Sequence, residues 1–89
     1  MNVYKNLFQT YLREKICSFR DEKQYTQEQM AELLHISPRA YIDQEHGVYG
    51  FSALCFVFFL LIIPEGEVLI FLNGFKALVK DMEEDNEVA

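Results

Sequence analysis

The chain has 89 residues, of which 51% are hydrophobic and 15% aromatic, and its formal net charge is −6. This length suits one domain with a single core, and the composition excludes an intrinsically disordered chain. The charge excludes a surface that is basic throughout. It is unevenly placed, because Met1 to Gly47 carries six basic and seven acidic residues, whereas Val48 to Ala89 carries two basic and seven acidic residues.

A first amphipathic helix is predicted from about Asn2 to Lys23, since apolar residues recur there every three or four positions. They are Tyr4, Leu7, Phe8, Tyr11, Leu12, Ile16 and Phe19. Thr26 is a good N-cap for a second helix, in which the predicted core positions are apolar. Those positions are Met30, Ala31, Leu33 and Leu34.

A third helix is predicted after Ser37, a good N-cap, with Pro38 at the first helical position and Gly47 as the stop. Two short helices cross steeply only where a small residue lies between them, which is the role predicted for Ala31. Ile36 is expected to fill the gap in the turn. We expect Tyr41 to point inward from the third helix.

Phe51 to Ile63 is apolar except for Ser52 and is ended by Pro64. Its 13 residues are fewer than the roughly 20 that a bilayer requires, so a buried fourth helix is expected rather than a membrane span. A fifth helix is predicted from about Glu65 to Met82, weakened in its middle by Asn73-Gly74. No strand alternation appears. The sequence predicts an all-α fold of five helices with an apolar C-terminal helix pair, over residues 1–82, followed by an acidic disordered tail over residues 83–89.

Cys17 and Cys55 both fall in apolar helical patterns, which is typical of reduced core thiols in a cytoplasmic protein. His35 and His46 are the only histidines, and neither has metal-ligand spacing to a cysteine. No catalytic spacing or phosphate-binding glycine loop is present either. We therefore predict no catalytic site, no metal, no cofactor and no small-molecule ligand.

Ile16 to Gly47 resembles the repressor/Cro-type (XRE family) helix-turn-helix proteins. ICSFRDEK is similar to the end of that family's first helix, TQEQMAELL to its second, and HISPRAYIDQEHG to its turn and recognition helix. The resemblance implies a lambda-repressor-like domain with the helix-turn-helix at about residues 26–46. It covers about a third of the chain.

The resemblance also implies a set of DNA-binding residues at the starts of the second and third helices. Carried over by position, they are Gln27, Ser37, Pro38, Arg39, Ala40 and Asp43. Gln27 and Ser37 suit phosphate contacts, and Arg39 suits the O6 and N7 atoms of a guanine. The alternative for Arg39 is an ion pair with Asp43, four residues later. Backbone contacts from the first helix are the role considered for Arg13, Lys15 and Lys23.

Several residues depart from the family pattern in ways that predict weak, salt-sensitive DNA binding. Asp43 would repel phosphate, and the loop His46 to Gly50 contains no Lys or Arg. Gln44 stands where a buried leucine-like residue is usual, and Ile42 stands at a position expected to be wet. Gln24 replaces a Gly at the end of the first helix, which costs up to about 1 kcal/mol if the backbone there is left-handed.

An all-round apolar fourth helix has to be covered on every side, which predicts a homodimer through the apolar 51–79 region. The predicted dimer surface contains Phe56, Phe59 and Leu60, together with parts of Ile70 or Phe71. The alternative is a central helix enclosed within a monomer.

These patterns together predict a small cytoplasmic DNA-binding transcription regulator that occupies a two-half-site operator as a dimer. The alternative function is a protein-interaction module that keeps the helix-turn-helix fold and binds little or no DNA. The acidic charge and the non-basic loop after Gly47 favour the alternative.

Overall fold

The computed structural model describes the backbone of residues 2–88 and the side chains of residues 2–85. Five α-helices account for most of this chain, and no strand occurs between residues 2 and 88. They are α1 (Val3–Lys23), α2 (Gln27–Leu33), α3 (Pro38–Glu45), α4 (Ala53–Ile62) and α5 (Glu65–Val88). The prediction of an all-α chain with five helices is confirmed.

Side-chain caps set the N-terminal ends of the first four helices. Asn2, Thr26, Ser37 and Ser52 each accept a hydrogen bond from a backbone N–H in the first turn that follows. At α2 the cap is reciprocal, because the Gln29 side chain accepts in turn from the Thr26 N–H at 2.8 Å. Local sequence therefore determines where these helices begin.

Between residues 2 and 88, two residues other than glycine adopt a left-handed backbone, one on each side of α2. Gln24 ends α1 with φ 58° and ψ 35°. His35, in the turn between α2 and α3, has φ 60°. Left-handed geometry favours glycine, so the chain is strained at both corners.

The core contains residues from all five helices. It consists of Tyr11, Leu12, Ile16, Met30, Ala31, Leu34, Tyr41, Phe51, Cys55, Phe59, Ile63 and Phe71. Leu33, which the sequence places in the core, is half-buried and packs against this cluster. Burial raises the pKa of the Cys55 thiol to about 11, and burial with the nearby Glu45 carboxylate raises that of Cys17 to about 11, so both remain protonated thiols at neutral pH.

Gly74 allows α1 and α5 to approach closely. The Tyr11 hydroxyl donates to the backbone oxygen of Phe71 at 2.7 Å, and it lies over Gly74. A Cβ atom at position 74 would fall 2.3 Å from that hydroxyl oxygen. The glycine that weakens α5 as an isolated helix is therefore required by the packing of α5 on α1.

The start of α4 is attached to α1 through the backbone of Phe51. The Gln9 side chain accepts from the Phe51 N–H at 2.7 Å and donates to the Phe51 carbonyl at 2.9 Å. Together these bonds satisfy both polar groups of a residue whose side chain is buried.

The last helix extends beyond its expected end. The sequence predicts a stop near Met82 and a disordered tail from residue 83, whereas α5 continues to Val88. The physical reason is that residues 75–85 contain good helix formers and neither Gly nor Pro, so nothing terminates the helix there. Ala89, the last residue of the predicted tail, lies outside the described residues.

Candidate nucleic-acid interface

α2 and α3 pack across a small residue. Ala31 of α2 is 1% exposed, Tyr41 of α3 is completely buried, and Ile36 in the turn is half-buried against the core. The inward positions predicted for Ala31 and Tyr41 are confirmed, and Ile36 packs against the core from the turn. The result is a short helix pair in which one side of α3 is fixed against the core.

A polar cluster joins α1, α2 and α3 at the carboxylate of Glu45. Arg20 donates to it from Nε at 2.9 Å and from Nη2 at 3.1 Å. Gln27 Nε2 donates at 2.9 Å, and the Tyr41 hydroxyl donates at 2.5 Å. Arg20 also donates to the Tyr25 carbonyl at 3.2 Å. Glu45 at the end of α3 therefore forms an ion pair with Arg20 of α1.

The cluster shifts the pKa values of its members. Burial by itself would raise the pKa of Glu45, but the hydrogen bonds from Tyr41, Gln27 and Arg20 outweigh it and lower that pKa to about 2. Burial and the hydrogen bond to Glu45 raise the pKa of the Tyr41 phenol well above its usual range. Glu45 is therefore ionised and Tyr41 neutral at physiological pH.

The first turn of α3 projects away from the core. Ser37 and Pro38 are exposed, and the Arg39 side chain is 84% exposed. Ala40 is half-buried, and its N–H donates to the Ser37 hydroxyl at 3.1 Å. Ser37 therefore serves as a helix cap while presenting an open surface beside Arg39.

Arg39 is paired with Asp43 on the same helix. Its Nε lies 3.5 Å from the Asp43 carboxylate, and the Asp43 side chain is 20% exposed. Exposed pairs of this spacing contribute about 0.3–0.5 kcal/mol, so a competing ligand can displace Asp43 at small cost. The ion pair considered as the alternative role for Arg39 is present in the structure.

Two other polar residues considered for DNA contacts, Gln27 and Arg13, are engaged within the protein, whereas Lys15 and Lys23 are exposed. The Gln27 amide faces Glu45. Arg13 donates from Nε to the Gln44 carbonyl at 3.1 Å and lies beside Gly47, so it satisfies the C-terminal end of α3. The Nζ atom of Lys15 lies 5.2 Å from the centroid of the Tyr11 ring, and the Nζ atom of Lys23 lies 5.9 Å from the centroid of the Phe19 ring.

The C-terminal end of α3 and the loop after it match the helix-turn-helix pattern less well than the start of α3 does. Gln44 is half-buried, and its Oε1 is buried without a hydrogen-bond partner, as expected for an amide in a leucine-like position. Ile42, at a position expected to be wet, is half-buried. Beyond the helix, Val48 and Tyr49 are 62% and 63% exposed, so the loop that follows α3 presents apolar rather than basic side chains.

The predicted dimer surface is partly wrong. Phe59 and Phe71 are 2% and 5% exposed because they face α1 and each other, with their ring centroids 6.0 Å apart. Phe56 and Leu60 are half-buried against the same core. Of the five residues in that prediction only Ile70, at 69%, is largely exposed. A helix without polar residues gives no sequence signal for which side faces inward, and this caused the error.

Two features of the structure have no counterpart in the sequence predictions. The His35 ring lies 4.3 Å from the Phe58 ring, centroid to centroid, and connects the α2–α3 turn to α4. A groove of about 380 Å³ runs between α1 and α5, with Lys15, Glu22 and Glu67 among its lining residues. Both depend on which faces of distant helices meet, which local periodicity does not specify.

Comparison with protein-family models, with curated proteins and with solved structures finds no match to this chain. Within the described residues, none of the helices combines the length and the apolar character that crossing a membrane requires.

Proposed function

We propose that this protein is a helix-turn-helix DNA-binding regulator in which the first turn of α3 enters the major groove. The observation that carries the proposal is the arrangement of α3. Tyr41 and Glu45 fix its back to the core, while Ser37, Pro38 and Arg39 form an exposed edge. An α-helix held in this way fits the major groove, and an Arg at its start suits guanine O6 and N7.

The electrostatics support weak binding. Residues 25–47 contain one Arg and no Lys, against Glu28, Glu32, Asp43 and Glu45. Phosphate attraction therefore depends on Arg39, the amides at the start of α3, and Lys residues of α1. A second copy would offset the weakness of one half-site, since two α3 helices spaced about 34 Å apart match successive turns of the duplex.

The first experiment is a titration of fluorescent mixed-sequence duplex DNA at about 50 mM and about 200 mM salt. Binding is expected at the lower salt and a steep loss at the higher, because binding releases condensed cations from the duplex and that release becomes less favourable as the salt concentration rises. Arg39→Ala is expected to weaken binding at least tenfold, which corresponds to about 1.4 kcal/mol.

Lys80→Ala is the matched control, because it removes one positive charge from an exposed position of α5. It should leave the affinity nearly unchanged. An equal loss of DNA affinity in the two variants would show that Arg39 acts only through the net charge of the protein, which would contradict a groove contact. Absence of binding by the wild type at about 50 mM salt, where phosphate attraction is strongest, would overturn the proposal.

Asp43→Asn tests the same site in the opposite direction. It removes a carboxylate beside the proposed groove contact and frees Arg39 from its ion pair. Affinity for duplex DNA is expected to rise several-fold at about 50 mM salt. An unchanged or lower affinity would place Asp43 away from the nucleic acid.

A second candidate function is a protein-interaction module built on the same helices. The observation that favours it is the internal engagement of Arg13 and Arg20, which leaves Arg39 as the only Lys or Arg of α2 and α3, against the exposed carboxylates of Glu28 and Glu32. Such a surface suits a basic protein partner. The DNA titration separates the two functions. Folded wild-type protein that binds no duplex at low salt is compatible with the protein-interaction module but not with the DNA-binding regulator.

A further inference from the structure

α4 exposes three aliphatic side chains along one side. Leu54, Val57 and Leu61 are 63%, 46% and 72% exposed. Their spacing of three and then four residues places them on one face of the helix, on the side away from the buried Cys55 and Phe59. We refer to these three residues as the α4 stripe.

The α4 stripe is the apolar and uncharged part of an acidic molecule. Phe51 to Pro64 contains no charged residue, although the whole chain has a net charge of −6. Two copies of such a chain repel each other except where the facing surfaces carry no charge. The nearest acids along the chain, Glu65 and Glu67, lie beyond the end of α4.

The spacing within the α4 stripe is self-complementary. Leu54 and Leu61 are seven residues apart, or about 10.5 Å along the helix, with Val57 near the midpoint. In an antiparallel pair related by a two-fold axis, each residue i meets residue j of the other copy, and j meets i. Leu54 then faces Leu61 of the second copy, and Val57 lies at the axis. A seven-residue repeat with apolar residues three and four apart is the pattern of helix pairs that interlock side chains.

We propose that the α4 stripe is a self-association surface whose occupant is the α4 stripe of a second copy, packed antiparallel with Val57 near the two-fold axis. This interface differs from the one expected from the sequence, since Phe59 and Phe71 lie in the core. The proposal concerns self-association alone and stands whether or not α3 binds DNA.

Three side chains make a small seam compared with the roughly 800 Å² per partner of a standard interface. The expected dissociation constant is therefore in the micromolar range. Salt is expected to strengthen the dimer because it screens the repulsion between two negatively charged copies. The proposed DNA complex has the opposite salt dependence, so the two proposals can fail separately.

The direct test is Val57→Cys in a glutathione redox buffer without DNA. A cysteine near a two-fold axis lies close to the same cysteine of the second copy. The fraction of disulfide-linked dimer is therefore expected to be about tenfold or more higher than in the control variant. Val48→Cys is the matched control, because Val48 is 62% exposed and lies outside the α4 stripe. Wild-type protein supplies the background of Cys17 and Cys55, whose raised pKa values of about 11 make them poor nucleophiles.

The second test is Leu61→Glu against Val48→Glu, followed by sedimentation equilibrium at about 10–500 μM, a range that brackets a micromolar dissociation constant. Leu61→Glu is expected to be a monomer and Val48→Glu a dimer like the wild type, with equal helical circular dichroism in all three. A wild type that remains near 10.5 kDa throughout overturns the proposal. So does a Leu61→Glu variant that dimerises as the wild type does, or equal cross-linking at positions 57 and 48.

Discussion

The two halves of this small protein use polar groups in opposite ways. In α1–α3, one carboxylate receives four hydrogen bonds from three helices, and arginines bind the ends of neighbouring elements. In α4 no charged residue occurs, and aliphatic side chains face solvent. The first half fixes its geometry internally and leaves one short helical edge free. The second half completes the core with one face and leaves another that a second copy can cover.

The largest expected effect comes from breaking the polar cluster of the first half. Glu45→Gln keeps the side-chain shape but removes the charge that compensates Arg20 and loses at least one acceptor. We expect a loss of about 3 kcal/mol in the free energy of unfolding, since an ion pair with little exposed surface leaves an uncompensated cation when one partner is removed. Urea denaturation measures it.

Glu28→Gln, an exposed change in the first turn of α2, is the control and should cost less than about 0.5 kcal/mol. Similar losses in the two variants would show that the cluster around Glu45 contributes little beyond a surface charge.

The next largest effect concerns the contact between α1 and α5. Gly74→Ala should improve helix propensity by about 1 kcal/mol, yet we expect a net loss of about 2 kcal/mol because the new methyl group collides with the Tyr11 hydroxyl. The double variant Tyr11→Phe, Gly74→Ala removes the colliding oxygen. In that background Gly74→Ala should be neutral or stabilising by thermal or urea unfolding, and a persistent loss would contradict the proposed cause.

Acid should weaken the first half through Glu45. The folded-state pKa of this carboxyl, about 2, lies below its ordinary value of 4.5. The folded state therefore binds the proton less readily than the unfolded state, and the stabilisation is complete above about pH 4.5 and is lost as the pH falls toward 2. The free energy of unfolding should fall across this window in the wild type and fall less in Glu45→Gln. Parallel pH curves for the two proteins would contradict the assignment.

The smallest effects are gains at the two left-handed corners. Gln24→Gly and His35→Gly each relieve backbone strain, with a net gain of up to about 0.5–1 kcal/mol after the greater flexibility of glycine in the unfolded chain is included. His35→Gly also loses the stacking on Phe58, so its gain should be the smaller of the two. Thermal unfolding of both single variants measures the difference.

Local signals made most of the fold predictable. Caps at Thr26 and Ser37, the proline at the start of α3 and the proline that ends α4 act within a few residues, and all appear where the sequence places them. Ala31, the small residue between α2 and α3, is also where the sequence predicts it. These features depend on backbone chemistry that neighbouring residues decide.

The remaining features were not predictable because they depend on contacts between distant helices. α4 has no polar residues that would show which of its sides faces solvent. The sequence therefore places Phe59 on the dimer surface, whereas it lies in the core. The hydrogen bond from Gln27 to Glu45, two residues 18 positions apart, follows from the way α2 and α3 pack on each other. Local periodicity specifies neither the inward face of α4 nor the contact between Gln27 and Glu45.

The two hydrogen bonds between Gln9 and Phe51 have a consequence for how the chain folds. α1 binds α3 through Arg13 and Arg20, but it also binds residues 42 and 60 positions further along the chain, through Gln9 and Tyr11. Loops of that length have to close before either contact can form, so α1 completes its contacts only after α4 and α5 have docked on it. A fragment that ends at Gly47 lacks the partners of half of α1. The exposed edge of α3 and the apolar half should therefore unfold in a single cooperative transition.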